Sequence, residues 1–130
     1  MVLGGVIYLH DISQDRLSNT ALQNLETFNL FYGTATLDKV VLVTTKWSRL
    51  SESDGSRREA ELRDVHWNPI VEKGSQLRRF LGNQESAWDI LAVSLKREIT
   101  QMKMPEEIFS RSDIVVLYVS RSQAFGFYSQ

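Results

Sequence analysis

The chain has no cysteine among its 130 residues, so it carries no disulfide framework, no thiol nucleophile and no cysteine metal site. Histidine is scarce as well: His10 and His66 fall in separate segments with no His or Cys partner at metal-ligand spacing, and no metal site is expected. Charge of one sign is missing. Fifteen Lys and Arg against sixteen Asp and Glu leave a formal net charge of −1 with no long run of either sign, which removes the electrostatic argument for nucleic acid or an anionic membrane surface. No apolar run approaches the roughly 18 to 20 residues needed to span a bilayer, the longest candidate being Ile114 to Val119. The apolar part of the opening MVLGGVIYLHDIS is too short for a signal segment and reads as a strand. A soluble, cytoplasmic protein is the expectation. There is no G-x-S-x-G elbow, and Ser13 and Ser94 have no indicated base, so no catalytic nucleophile is assigned.

What is present suits one domain. At 42% hydrophobic, the chain has apolar material for a single core. Val6 to Leu9 forms a β-rich run that leaves through His10-Asp-Ile-Ser13. Leu22, Leu25, Phe28, Leu30 and Phe31 recur at helical spacing, with Ser18 or Asn19 to cap the start and Gly33 to end it. Val40 to Val43 is a second strand. Two nearly continuous apolar strands around a helix imply parallel pairing with both faces covered and a right-handed crossover. The second strand delivers Thr44 to Ser48 to the carboxyl end of the sheet, where open α/β folds place ligand-contacting loops.

Beyond it, Ser48 to Ser56 is polar and contains the turn signal Asp54-Gly55, after which Arg57 to Trp67 has the character of a solvated helix ended by Trp67-Asn-Pro69. Glu59 and Glu61 read as exposed charges of that helix, and Trp47 and Trp88 as packing aromatics. Gly74 to Leu81 reads as a third strand ending near Gly82-Asn83, and Trp88, Leu91 or Ala92 and Leu95 mark an amphipathic helix from Glu85 to about Met104. The order is β-α-β-α-β-α over residues 1–104. Residues 105–130, set off by Pro105, form a C-terminal extension with one strand-like segment, Ile114 to Val119.

Gly5-Val-Ile-Tyr-Leu-His10, Asn24-Leu25 with Phe28, Val41-Leu-Val-Thr-Thr-Lys-Trp47, Arg57-Arg-Glu59 with Glu61-Leu62, and Arg79-Phe-Leu81 followed by Glu85-Ser-Ala-Trp-Asp-Ile90 together resemble the C-terminal half of the fungal G-domain proteins. These are P-loop nucleoside triphosphatases of the septin-like and immunity-associated GTPase type. The resemblance covers about residues 4 to 95. It implies a truncated three-layer α/β sheet of P-loop GTPase-like (Rossmann-like) type, mostly parallel, lacking the phosphate-loop half. The glycine-rich loop and the Asp-x-x-Gly element of that family are not in this sequence: Gly4-Gly5 has neither the spacing nor the following lysine.

By the same resemblance, the guanine-reading tetrapeptide falls on Thr45-Lys46-Trp47-Ser48. The lysine stem would lie against the base, and Ser48 stands where the family has an acid. A hydroxyl lacks the two-oxygen, charge-assisted grip of a carboxylate. The second base-contacting loop would be Gly82 to Glu85, with Asn83 on the purine, although Asn at such a position also serves as a turn or helix-start residue. The implied ligand is GTP or another guanine nucleotide, with no Mg ion held by this chain alone and no hydrolysis by it. A non-catalytic α/β interaction module that has lost nucleotide binding is the other reading. A G-domain sheet has its phosphate-loop strand beside the strand at Val6 to Leu9. That edge is therefore expected to be open to self-association unless Ile114 to Val119 folds back over it.

Overall fold

The computed structural model describes residues 2–14, 40–95, 109–110, 114–119 and 125–129. The helix expected over Leu22 to Phe31 lies outside these residues, as does the continuation of the last expected helix beyond Leu95.

Strand β1 (Val2–Asp11) and strand β2 (Val40–Thr45) pair in parallel, with Val6 opposite Val40 and Asp11 opposite Thr45. Every residue of β2 is buried. Such unbroken burial requires a layer on each face, and two apolar clusters supply it. Ile7, Leu9, Val41 and Val43 face one side, where Ala87, Ile90 and Leu91 of helix α3 (Gln84–Leu95) pack with Phe80, Phe109 and Val115. Val6, Tyr8, Val40 and Leu42 face the other, under Leu62, Trp67, Ile70 and Val71. Complete burial of each such side chain contributes about 1.5–3 kcal/mol, so the sheet and its two helical layers stabilise one another. The expected three-layer α/β arrangement is present among the described residues.

Strand β3 (Gln76–Arg79) adds parallel to the outer side of β2, as the second parallel pairing. On the other side of β1 the sheet changes direction. Strand β4 (Ile114–Val119) runs antiparallel to β1, with Val115 opposite Ile7 and Ile114 opposite Tyr8, and strand β5 (Phe125–Ser129) runs antiparallel to β4. The result is a five-stranded mixed sheet in the order β3-β2-β1-β4-β5, in which only β4 opposes the common direction. Of the two alternatives for the edge at Val6 to Leu9, the structure has the second: Ile114–Val119 folds back over it, and Val6 to Tyr8 pair with β2 on one side and β4 on the other. Residues 105–130 contribute two strands to this sheet where one was expected.

Between β2 and β3 lie helix α1 (Glu52–Glu61), a wide π turn (Leu62–His66) and helix α2 (Asn68–Glu72). Asp54-Gly55, expected to be a turn, is inside α1. Ser51 caps the helix, its hydroxyl accepting from the Asp54 N–H at 3.2 Å, and Glu52 and Asp54 complement the dipole in the first turn. Glycine is tolerated there because Trp47 occupies the space beside it: a Cβ on Gly55 would stand 2.5 and 2.8 Å from carbons of the Trp47 ring. The helix ends where the Trp67 N–H donates to Leu62 O at 2.6 Å, a five-residue loop that turns Trp67 into the core. Pro69 then sits in the first turn of α2, where its missing N–H costs nothing.

Helix propensity alone makes Gly55→Ala stabilising by about 1 kcal/mol. Overpacking against the Trp47 ring costs about 1–3 kcal/mol. Gly55→Ala is therefore expected to lower the urea midpoint relative to the unsubstituted chain, and a raised midpoint would show that the ring moves aside freely.

Candidate functional site

Because β1, β2 and β3 run the same way, their carboxyl ends deliver three loops to one rim of the sheet. The first is shaped by Asp11, whose Oδ1 accepts from the Ser13 backbone N–H at 2.9 Å and from the Ser13 hydroxyl at 2.5 Å. Its other oxygen meets Arg49 at 3.0 Å, tying the loop after β1 to the loop after β2. Arg58 of α1 closes the arrangement by donating to the carbonyls of Ile12 at 3.1 Å and Ser13 at 2.8 Å.

The second loop begins at Lys46, which has φ 63° and ψ 34°, the only positive φ outside glycine among the described residues. An L-residue pays about 1–2 kcal/mol for that conformation. Strain of this kind clusters at ligand-contacting positions. The bend lets Trp47 to Arg49 form a 3-10 turn, in which the Arg49 N–H donates to Lys46 O at 3.1 Å. Lys46 is half-buried and forms no ion pair among the described residues. Trp47 is fixed on several sides. Its Nε1 donates to Thr44 Oγ1 at 3.0 Å, Gly55 admits its ring, and the Arg79 guanidinium stacks 4.1 Å from the ring centroid. Arg79 is held in turn by a two-pronged pair with Glu59, at 2.8 and 2.7 Å.

The third loop, after β3, faces the second across a cavity of about 180 Å³. Thr45, Lys46, Trp47 and Ser48 line one wall, and Phe80, Leu81, Gly82 and Ser110 the other. Leu81 is 57% exposed at this rim. Phe109 anchors the far wall, fully inside the core with its ring edge-on to Phe80 at 5.6 Å, and thereby sets Ser110 at the cavity. The volume is below the roughly 300–1,000 Å³ of sites that enclose a whole drug-sized ligand; it suits one ring system, with the rest of a ligand lying outside.

Of the residues expected at this site, Thr45, Lys46 and Ser48 share the cavity wall, whereas Asn83 is not among its lining residues. Asn83 caps α3: its Oδ1 accepts from the Ser86 N–H at 2.8 Å and its carbonyl oxygen from the Ser86 hydroxyl at 3.1 Å. Thr45 is committed to the sheet, donating from Oγ1 to His10 O at 3.2 Å, so it shapes the wall through its backbone position. Leu81 and Ser110 carry no local sequence signal for this role, because a strand-end leucine and a serine after phenylalanine are ordinary until the fold brings them beside Lys46.

A second, much smaller cavity of about 20 Å³ lies beneath the first loop, with His10, Arg58, Glu61 and His66 in its wall. It has room for about one water molecule. The two histidines and the glutamate do not assemble a ligand set: among the described residues no group of three His, Cys, Asp or Glu comes together. His10 stands edge-on to Trp67 at 5.7 Å, and burial lowers its pKa from 6.5, helped by His66 and opposed by Asp11. Comparison with protein families, curated proteins and solved structures finds no match to this chain.

Two outcomes follow from these geometries. Lys46→Gly relieves the left-handed backbone that Lys46→Ala retains, so the glycine variant is expected to unfold about 0.5–1 kcal/mol later than the alanine variant in urea; equal stabilities would mean that the bend at Lys46 carries no strain. For His10, a folded pKa below 6.5 means that the unfolded chain binds the proton more readily. Its contribution is therefore complete above that value and is lost as the pH falls below it. Stability measured between pH 7 and 5 should fall less steeply in His10→Phe than in the unsubstituted chain, and identical slopes would place the acid sensitivity elsewhere.

Proposed function

We propose that this chain is a G-domain-like module that binds a nucleotide through its base and does not hydrolyse it unaided. The observation that carries the reading is the meeting of the loops after β2 and β3 on one cavity, with Lys46 in its wall. Those are the loops that the resemblance assigns to base recognition. A purine would lie along the aliphatic stem of Lys46 with Leu81 against its other side, while the ammonium stays in water. The Ser48 hydroxyl offers the ring edge a single hydrogen-bonding group, so discrimination between guanine and adenine would be weak.

The direction of β4 supports the absence of hydrolysis. A G-domain sheet has a parallel strand beside β1 whose carboxyl end feeds the phosphate loop. Here the neighbour of β1 is antiparallel, so the carboxyl end of β4 lies at the opposite rim from Lys46. Phosphoryl transfer depends on cations and backbone amides placed around the phosphates, and β4 delivers none to that side. The same feature is compatible with the second reading, an α/β interaction module without nucleotide.

Equilibrium binding of fluorescent GTP and ATP analogues to the folded protein, with and without magnesium, separates the two. Micromolar binding that weakens at least tenfold in Lys46→Gly is expected, together with a gain in GTP preference in Ser48→Asp and no magnesium-dependent phosphate release. Absence of binding by a folded protein would favour the interaction module, and phosphate release that tracks protein concentration would refute the claim of incompetence.

A further inference from the structure

In the order β3-β2-β1-β4-β5, β3 is a terminal strand. The Phe80 N–H donates to Thr44 O at 2.9 Å, and the Thr44 hydroxyl reaches Arg78 O at 3.4 Å. Phe80 and Arg78 thus turn their backbone groups toward β2. Since these groups alternate along a strand, the N–H and C=O of Leu77 and Arg79 point outward. Terminal strands of this kind are templates for another chain, and proteins guard them. The guard here is Arg78, whose guanidinium folds back along its own strand to donate to Leu77 O at 2.8 Å and to Gln76 Oε1 at 2.6 Å.

That guard is held only by neutral acceptors. Arg78 is exposed and forms no ion pair among the described residues. Beside the strand lies an open groove of about 490 Å³, walled by β3 together with Glu59, Arg63 and Val71. Three arginines, Arg63, Arg78 and Arg79, border it. The one carboxylate there, Glu59, is already engaged by Arg79. Among the described residues Arg63 forms an ion pair only with its exposed neighbour Asp64, at 3.3 Å, a contact of little worth. The groove is therefore locally cationic in a chain whose formal net charge is −1.

We propose that the outer edge of β3 docks an extended acidic peptide segment of a partner protein, which adds to the sheet as a further strand. The outward groups of Leu77 and Arg79 pair with the incoming backbone, giving the main-chain component of affinity. Carboxylates on one side of the peptide meet Arg63 and the outer face of Arg79. On the other side a carboxylate draws Arg78 off Leu77 O, exchanging a neutral acceptor for a charged one and uncovering the carbonyl the new strand needs. Binding of this type is weak, fast and salt-sensitive.

The probe is a fluorescein-labelled heptapeptide in which pairs of glutamates alternate with pairs of valines (EEVVEEV), so that an added strand carries carboxylates on both faces. It is followed by anisotropy against the full chain at low salt, with the lysine-for-glutamate counterpart as control. The acidic peptide is expected to bind at least tenfold more tightly than the basic one, and to lose at least tenfold in Arg78→Glu. Leu77→Pro removes an outward N–H without removing a bond to β2 and should also weaken binding. Should that variant not fold, amide exchange in the unsubstituted chain decides the matter: peptide binding should slow exchange at Leu77 and Arg79 and leave Arg78, already bonded within the sheet, unchanged. Equal binding of both peptides, indifference of folded Arg78→Glu, exchange unchanged at Leu77 and Arg79, or concentration-dependent dimerisation through β3 without peptide binding would each overturn the proposal.

Discussion

Burial of β1 and β2 on both faces is the constraint from which the remaining architecture follows. Apolar side chains on alternate faces of these strands demand α3 on one side and the α1 to α2 segment on the other. The α1 to α2 segment connects β2 to its parallel neighbour β3, and the parallel strands β1, β2 and β3 send their exit loops to the same rim. The cavity between Lys46 and Leu81 is a product of that arrangement, because parallel neighbours end side by side and their loops cannot avoid facing each other.

Trp47 converts this general arrangement into a particular one. Its indole is fixed by Thr44, admitted by Gly55 and stacked by Arg79, and Arg79 is held by Glu59. Residues of β2, α1 and β3 are thus joined through one ring. The left-handed backbone at Lys46 immediately precedes that ring, and it turns the chain from the strand into the short helical turn that carries Trp47. Local strain and tertiary packing therefore stabilise the same bend, which positions the Lys46 side chain without an ion pair to divert it.

The strands and the helix at Glu85 were legible because their signals are local: β-branched runs at Val6 to Leu9 and Val40 to Val43, and helical spacing from Trp88 to Leu95. The position of Thr45, Lys46 and Ser48 at the carboxyl rim of the sheet was legible from strand polarity alone. Asp54-Gly55 was misread because the preference of that pair for turns is overridden by a capping serine and by the ring that fills the place of a Cβ. Asn83 has a side chain equally suited to a ligand and to a helix start, and the Ser86 N–H three residues on claims it. The antiparallel return of β4 depends on contacts more than 100 residues apart in sequence, such as Val2 with Val119. No window of the chain contains both partners, so no periodicity announces them.

The central claim is that the exit loops after β2 and β3 wall a single ligand-binding cavity. A titration of the isotopically labelled protein with GTP, followed by backbone amide shifts, tests it directly. The account expects the largest changes at Lys46 to Ser48, at Leu81 and Gly82, and at Ser110, with the region around His10 and His66 little affected. Saturating GTP that left these amides unmoved, or shifts centred on the His10 cavity instead, would contradict it.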